Sequence, residues 1–283
     1  MGDLARFDAP KQVEALLQRI QEDLDAGRLV LPTLPEITGR VQAVLNRPEV
    51  SMDELTALLR ADASIAARLL QLVNSPAYRA NQPISDLRQA ITRLGLDQIQ
   101  HLVTAFAAEQ MFQSHHESLN RLLKRTWAHS LKVASLSHLI ATEHSELNPE
   151  QAFLGGLIHD IGVLPIIRYA EDETPAPSEA LLHHAIEWAH PSLGAELLEA
   201  WYFPEPLVAV AREHEFLERD PAPAPDYADV VLVANVLMHL GDGRLRGGVD
   251  IAHIPAFGKL CLSLELDPLA QELIAEIEGP AAG

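Results

Sequence analysis

Apolar residues recur along this chain at the spacing of helix faces and almost nowhere at the alternation of strands. Leu87, Ile91 and Leu94 stand at i, i+4 and i+7, with Gly95 behind them as a stop signal. Leu55, Leu58 and Leu59 form another face, and Ser51 with Glu54 ahead of them has capping-box spacing. Leu69, Leu70 and Val73 continue the pattern until Asn74-Ser-Pro76 breaks it. Further helices are predicted at about 10–27, 35–47, 97–112, 119–143, 149–169, 179–188, 191–201, 205–217, 227–241 and 267–278. Val230-Val-Leu-Val233 has strand-like composition but lies inside a longer helical window. The predicted fold class is all-α, a multi-helix bundle with an N-terminal helical subdomain.

Breaks in the pattern suggest where it divides. Leu31-Pro-Thr-Leu-Pro35 separates the first helix from those that follow, and Gln113-Ser-His-His-Glu-Ser118 is a polar gap between two long helical windows. Glu171–Pro177 and Asp220–Asp226 are predicted surface loops. The expected division is an N-terminal helical bundle over 1–117 and a histidine-bearing helical domain over 118–283. The last predicted helix presents Leu269, Leu273 and Ile277 at i, i+4 and i+8, a face that should dock.

Charge narrows the possible partners. With 21 Lys and Arg against 40 Asp and Glu, the net charge is −19, and no basic cluster offsets it. Such a field repels phosphate backbones and anionic membranes, so neither a nucleic acid nor a membrane is an expected partner. The single cysteine, Cys261, lies in Lys259-Leu-Cys-Leu-Ser-Leu264, is expected to be a core thiol, and excludes an intramolecular disulfide. The first residues have neither a basic region nor an apolar region of a leader, and no run reaches about 18 uncharged apolar residues. A cytoplasmic location is the expectation from those features.

The candidate chemistry is in histidines. His159-Asp160 closes the apolar run Phe153-Leu-Gly-Gly-Leu-Ile-His-Asp-Ile-Gly-Val163. Imidazole and carboxylate together suit zinc, iron or manganese. His129 lies upstream, and His190 and His214 downstream. Each also has an ordinary explanation. His129 sits in an amphipathic helix, Asp160 could cap a helix, Pro191 suits a first helical position that leaves His190 near the N-cap, and His214 stands in a charged turn. His115-His116 and His183-His184 lie in polar surroundings and are expected at the surface. A glycine-rich phosphate loop, a G-x-S-x-G elbow, a CxxC pair and an H-E-x-x-H motif are all missing.

Several motifs in order give the chain a family resemblance. Leu31-Pro-Thr-Leu-Pro35 comes first, then the helix Asp62–Ser75 ending in Asn-Ser, then Ile84-Ser-Asp-Leu-Arg-Gln-Ala-Ile-Thr-Arg-Leu-Gly95. Trp127-Ala-His-Ser130, Gly155-Gly-Leu-Ile-His-Asp-Ile-Gly162, His190-Pro-Ser-Leu-Gly194 and Trp201-Tyr-Phe-Pro204 follow. Over roughly residues 25–240 the sequence resembles the HDOD family, output-type relatives of HD-domain phosphohydrolases in bacterial signalling. The resemblance implies an HD-like helical fold and a role in regulation, usually without catalysis. Active HD enzymes use a histidine, a His-Asp pair and a distant aspartate around one or two metals. His129 matches the first position and His159-Asp160 the pair, while Asn235 stands where the last aspartate belongs. His190 and His214 resemble the extra histidines of the HD-GYP branch, but Val163 replaces a lysine, Glu215 replaces a second histidine, and no GYP tripeptide is present. Cyclic di-GMP hydrolysis is therefore not expected. The resemblance implies a signalling module that binds a protein partner or small signal, with homo-oligomerisation open. Its metal ligands would be His129, His159, Asp160, His190 and His214, with Fe, Mn or Zn as the cation if one is held. The alternative is an active metal-dependent phosphohydrolase acting on a nucleotide or other phosphoester.

Overall fold

A computed structural model describes residues 4–26, 29, 35–45, 47, 49–74, 84–173, 177–241 and 253–262. Among them no strand occurs, and the architecture is all-α as expected. The chain forms two compact units, residues 33–111 and residues 1–32 with 112–283.

The smaller unit holds α2 (Glu36–Leu45), α3 (Met52–Ala61), α4 (Ala63–Val73), α5 (Leu87–Leu94) and α6 (Leu96–Met111). Short polar side chains start these helices by accepting bonds from otherwise orphaned backbone amides. Ser51 accepts from Glu54 N at 3.3 Å, Asp62 from Ser64 N and Ile65 N at 3.0 Å, and Asp86 from Gln89 N at 3.1 Å. Only the serine half of the expected capping box forms, because the Glu54 carboxylate turns to Arg47 at 2.6 Å. Gly95 ends α5 at φ +88°, a conformation open to glycine. Leu55, Leu59, Ile65, Leu69, Ile91, Ile99 and Val103 meet in the core, as their helical spacing predicts. Asn74 gives the Asn-Ser signature a structural purpose. Its amide donates to Leu70 O and Ile84 O at 2.7 Å and accepts from Ile84 N at 2.8 Å, so one side chain replaces a backbone pair where α4 ends.

The larger unit holds α1 (Leu4–Asp25), α7 (Glu117–His144), α8 (Pro149–Ile158), α9 (Val163–Asp172), α10 (Glu179–Ala200), α11 (Glu205–Glu213), α12 (Tyr227–Gly241) and α13 (Pro255–Lys259). At its centre α12 packs on α7, α8 and α11. Val230, Val231, Leu232, Val233 and Ala234 are fully buried there, so the strand-like run is a helix enclosed on all sides. The apolar run Pro149–Asp172 has the length and composition of a membrane span, but most of it is buried inside the protein.

Four expectations need correction. Helix α1 packs against α10, which moves the division from 117 to either side of the unit 33–111. The window 149–169 is two helices joined by a tight turn, with Ile161 N bonded to Ile158 O and Val163 N to Asp160 O. Conversely, 179–188 and 191–201 are one helix with Pro191 inside it. Burial of this stretch on both sides of the proline outweighs the lost backbone bond. Cys261 is exposed at φ +53°, because the chain turns back as α13 ends and carries the thiol outward. The helix expected at 267–278 lies outside the described residues.

Candidate metal centre

All the candidate ligands lie in the larger unit, brought in by four separate segments of it. His129 projects from the middle of α7, His159 and Asp160 stand on the turn between α8 and α9, His190 is inside α10, and His214 caps the end of α11. Glycines let these elements approach. A Cβ on Gly156 would lie 2.6 Å from the Cα of Ala134 in α7. A Cβ on Gly162 would fall on the carbonyl oxygen of His190 and the amide of Gly194.

Three of the four histidines are oriented in the same way. His159 Nδ1 donates to Gly156 O at 2.7 Å, His190 Nδ1 to Ile186 O at 2.6 Å, and His214 Nδ1 to Ala211 O at 3.0 Å and Val210 O at 3.1 Å. A carbonyl oxygen can only accept, so Nδ1 carries the hydrogen and Nε2 presents a lone pair when each ring is neutral. These lone pairs converge on Asp160. His159 Nε2 is 3.4 Å from Oδ2, and His190 Nε2 and His214 Nε2 are 3.3 and 3.6 Å from Oδ1. His190 Nε2 and His214 Nε2 are 3.0 Å apart. His159 Nε2 is completely buried and has no hydrogen-bond partner. A buried acceptor left without a donor is costly unless a proton or cation meets it.

His129 completes the cluster differently. Its Nε2 lies 2.9 Å from Asn235 Oδ1, and its ring is 5.4 Å from that of His159. Two ligand triads result, His129–His159–Asp160 and Asp160–His190–His214, with the donor atoms of each within 4.8 Å of one another. Asp160 belongs to both. The five candidate positions therefore come together, and Asn235 is beside them as the resemblance implied. His115, His116, His183 and His184 are exposed and take no part. The charged turn around His214 is solvated as expected at Arg212 and Glu215, but the His214 ring itself is fully buried.

Two neighbours lay outside the expected ligand set. His239, one turn after Asn235 on α12, sets its ring perpendicular to His129 at 5.1 Å. The i, i+4 spacing from Asn235 was the available signal. Glu215, noted above only as a departure from a histidine, brings Oε1 to 3.9 Å from His190 Nε2 and 4.0 Å from His214 Nε2.

Electrostatics follow from burial against this crowding. Burial pushes His159 down to about 3, with the Asp160 charge only partly opposing it, so the ring is neutral at neutral pH. Burial alone would raise Asp160, but the imidazoles around it, His159 foremost, hold its carboxyl well below the ordinary range. His190 and His214 move in opposite directions. Burial lowers His190, whereas for His214 burial is the largest single influence but the bond and charge of Asp160, with the Glu215 charge and the Ala211 carbonyl, together outweigh it and raise the ring. Of the pair, His214 is therefore the ring that takes up a proton more readily and His190 the one that resists it. The sign of the pH dependence follows. The folded His159 binds a proton less readily than the unfolded one, so the fold loses stability as pH falls from about 6.5 toward 3. Urea titrations of chelator-treated protein should show this slope, and His159→Gln should flatten it.

Comparison with known proteins agrees with this arrangement. The HDOD domain model matches residues 31–216. The structure of a candidate metal-dependent phosphohydrolase from Shewanella amazonensis SB2B is similar over 94% of this chain and 96% of its own, at 28% identity and a TM-score of 0.80. An uncharacterized protein of Treponema pallidum is 24% identical over 287 residues, which cover 97% of this chain and 55% of that protein. The cyclic di-GMP phosphodiesterase CdgJ of Vibrio cholerae is 30% identical over 119 residues, or 42% of this chain and 26% of its own length. The chain thus spans about half, or less, of the length of these two curated relatives. With most of its length matched by the family model and its histidine segments gathered around Asp160, this chain belongs to the HDOD domain family.

Proposed function

We propose that this chain is a signalling module of the HD type that holds a divalent cation and passes a conformational state to a protein partner. One observation carries the metal reading. Three buried histidines spend Nδ1 on backbone carbonyls of their own turns and point Nε2 at one carboxylate. Such second bonds orient histidine ligands in metal sites. His129, His159, Asp160, His190 and His214 are the proposed ligands, and nitrogen with carboxylate oxygen suits iron, manganese or zinc. Membership of the HDOD family and the partial likeness to a cyclic di-GMP phosphodiesterase support a place in bacterial signalling. The net charge of −19 favours a protein or small signal over nucleic acid or an anionic membrane.

A second reading, hydrolysis of a phosphoester, is favoured by the likeness to the Shewanella structure and by a carboxylate shared between two triads. A bound cation would supply Lewis acidity toward phosphoryl oxygens. Against turnover stands Asn235, a neutral amide closed onto His129.

Metal analysis of untagged protein should find a divalent ion. Its affinity should fall with decreasing pH, because imidazole ligands must be neutral. Loss of the ion in neither His159→Ala nor Asp160→Ala would sink the metal reading. A panel of nucleotides and phosphoesters with manganese, iron or zinc separates the two functions. Turnover that both substitutions abolish would establish the enzyme, and its absence in a metal-loaded protein is the expected result.

A further inference from the structure

We infer that the cation sits on the His190–His214 side of Asp160, with Glu215 as its second carboxylate, rather than on the His129–His159 side. This rests on the metal reading above and narrows its ligand set to Asp160, His190 and His214 with Glu215 added, leaving His129 and His159 beside the cation rather than on it.

Compare the donors on the two faces of Asp160. A cation with bonds of about 2.1 Å sets neighbouring donors roughly 3.0–3.4 Å apart. His190 Nε2, His214 Nε2 and Asp160 Oδ1 stand at 3.0, 3.3 and 3.6 Å from one another, close to that spacing before any adjustment. Both nitrogens offer lone pairs, because both Nδ1 hydrogens are committed to carbonyls. Two lone pairs at 3.0 Å repel unless a proton or a cation lies between them, so this pair is a place where a cation can replace a proton. Glu215 Oε1 is 3.9 and 4.0 Å from the same two nitrogens. Its side chain is 47% exposed, so it can close the remaining distance by rotation without disturbing the core. Two carboxylates then balance a divalent charge.

The opposite face is poorer. Asn235 Oδ1 takes up His129 Nε2 at 2.9 Å, so those two groups satisfy each other. What remains is His159 Nε2 and Asp160 Oδ2, 3.4 Å apart, with a single negative charge between them. His159 is completely buried with that nitrogen unpartnered, which marks the centre as built for a positive neighbour and still leaves this face one anionic donor short. The replacement of a histidine by Glu215 and of an aspartate by Asn235 then form one pattern. Anionic ligation has moved across Asp160, from the α12 side to the α11 side.

Calorimetric titration of the chelator-treated full chain with manganese chloride and with zinc chloride tests this. Wild type should take up about one ion per chain in a single event. Glu215→Gln should weaken that event about tenfold or more, with the melting temperature of the metal-free protein unchanged, and Glu215→Asp should fall between. Asn235→Asp should add a second, weaker event, because it supplies the missing anion on the other face. Two results would overturn the placement while leaving the metal reading intact. One is a Glu215→Gln affinity within twofold of wild type. The other is an Asn235→Asp protein in which the single event tightens and no second appears. Absence of binding in wild type would instead overturn the metal reading itself.

Discussion

Gly162→Ala should destabilise the larger unit by about 3 kcal/mol or more, a large fraction of the ~5–15 kcal/mol that holds a typical domain. The added methyl would fall on the carbonyl oxygen of His190 and the amide of Gly194. Both obstacles are backbone, so no side-chain rotation relieves the clash. Either the turn carrying His159-Asp160 or the helix α10 must move. Gly39→Ala in α2 is the control, because nothing lies within 4 Å of its added carbon. That substitution should be neutral or stabilise by roughly 0.5–1 kcal/mol, as alanine suits a helix interior better than glycine. Thermal melts of both variants beside wild type check the pair. A Gly162→Ala melting point within a degree or two of wild type would show that the approach of α10 to this turn is looser than described.

Arg219→Met should cost about 3–5 kcal/mol, the range for removing one partner of a buried ion pair. Arg219 has a side chain 2% exposed, at the edge of the exposed loop before α12. Its Nε donates to Glu213 at 3.0 Å, its two terminal nitrogens donate bidentately to Asp226 at 2.9 Å, and one of them also meets Asp229. Asp229 is fully buried, and without the guanidinium it keeps Lys259 Nζ at 3.4 Å and the Asp226 amide at 3.1 Å. Arg219→Lys should recover little, because an ammonium cannot reproduce the planar fork. The network also carries a pH signature. Burial would raise Asp226, but the bonds and charge of Arg219 together with the Asp229 and Ala228 amides outweigh it and hold its carboxyl below the ordinary range. Its contribution is therefore present above about pH 3.9 and is lost as pH falls through the lower folded value. Denaturant midpoints of wild type and Arg219→Met should converge in acid. Parallel curves would show that the network is not what Arg219 stabilises.

Helix positions were legible wherever one face was polar. Leu87, Ile91 and Leu94 show a clear period, and α5 follows it to within a residue. The break at His159–Gly162 was not, because α8 and the opening Val163–Ile167 of α9 are buried on almost every side and carry no phase to lose across the turn. Pro191 was misleading for a different reason. Local rules favour a helix start there, whereas the packing of Gly194 against Gly162 keeps the helix running through it. The pairing of α1 with α10 depends on contacts between residues far apart in sequence, and no local pattern encodes that. For the centre, His159-Asp160 stood out as a motif, but convergence of donors from several helices is a tertiary fact. One part was more local than it looked. The bonds from His159 to Gly156, His190 to Ile186, and His214 to Ala211 all lie within one turn. A histidine at such a position can be pre-aimed by its own helix before anything else packs against it.

The uninterrupted course of α10 makes it a lever. At 22 residues it is a rod on the order of 30 Å long. It meets α1, α9 and α11 along its length and carries His190 near its middle. A small tilt of the His190 turn is therefore multiplied toward both ends, where two separate helices would have absorbed it at a hinge. Trp188, 69% exposed and two residues from His190, rides on the outside of the same rod. A cation beside Asp160 that shifts His190 should therefore also shift this surface indole, and tryptophan fluorescence on addition of zinc chloride would report it.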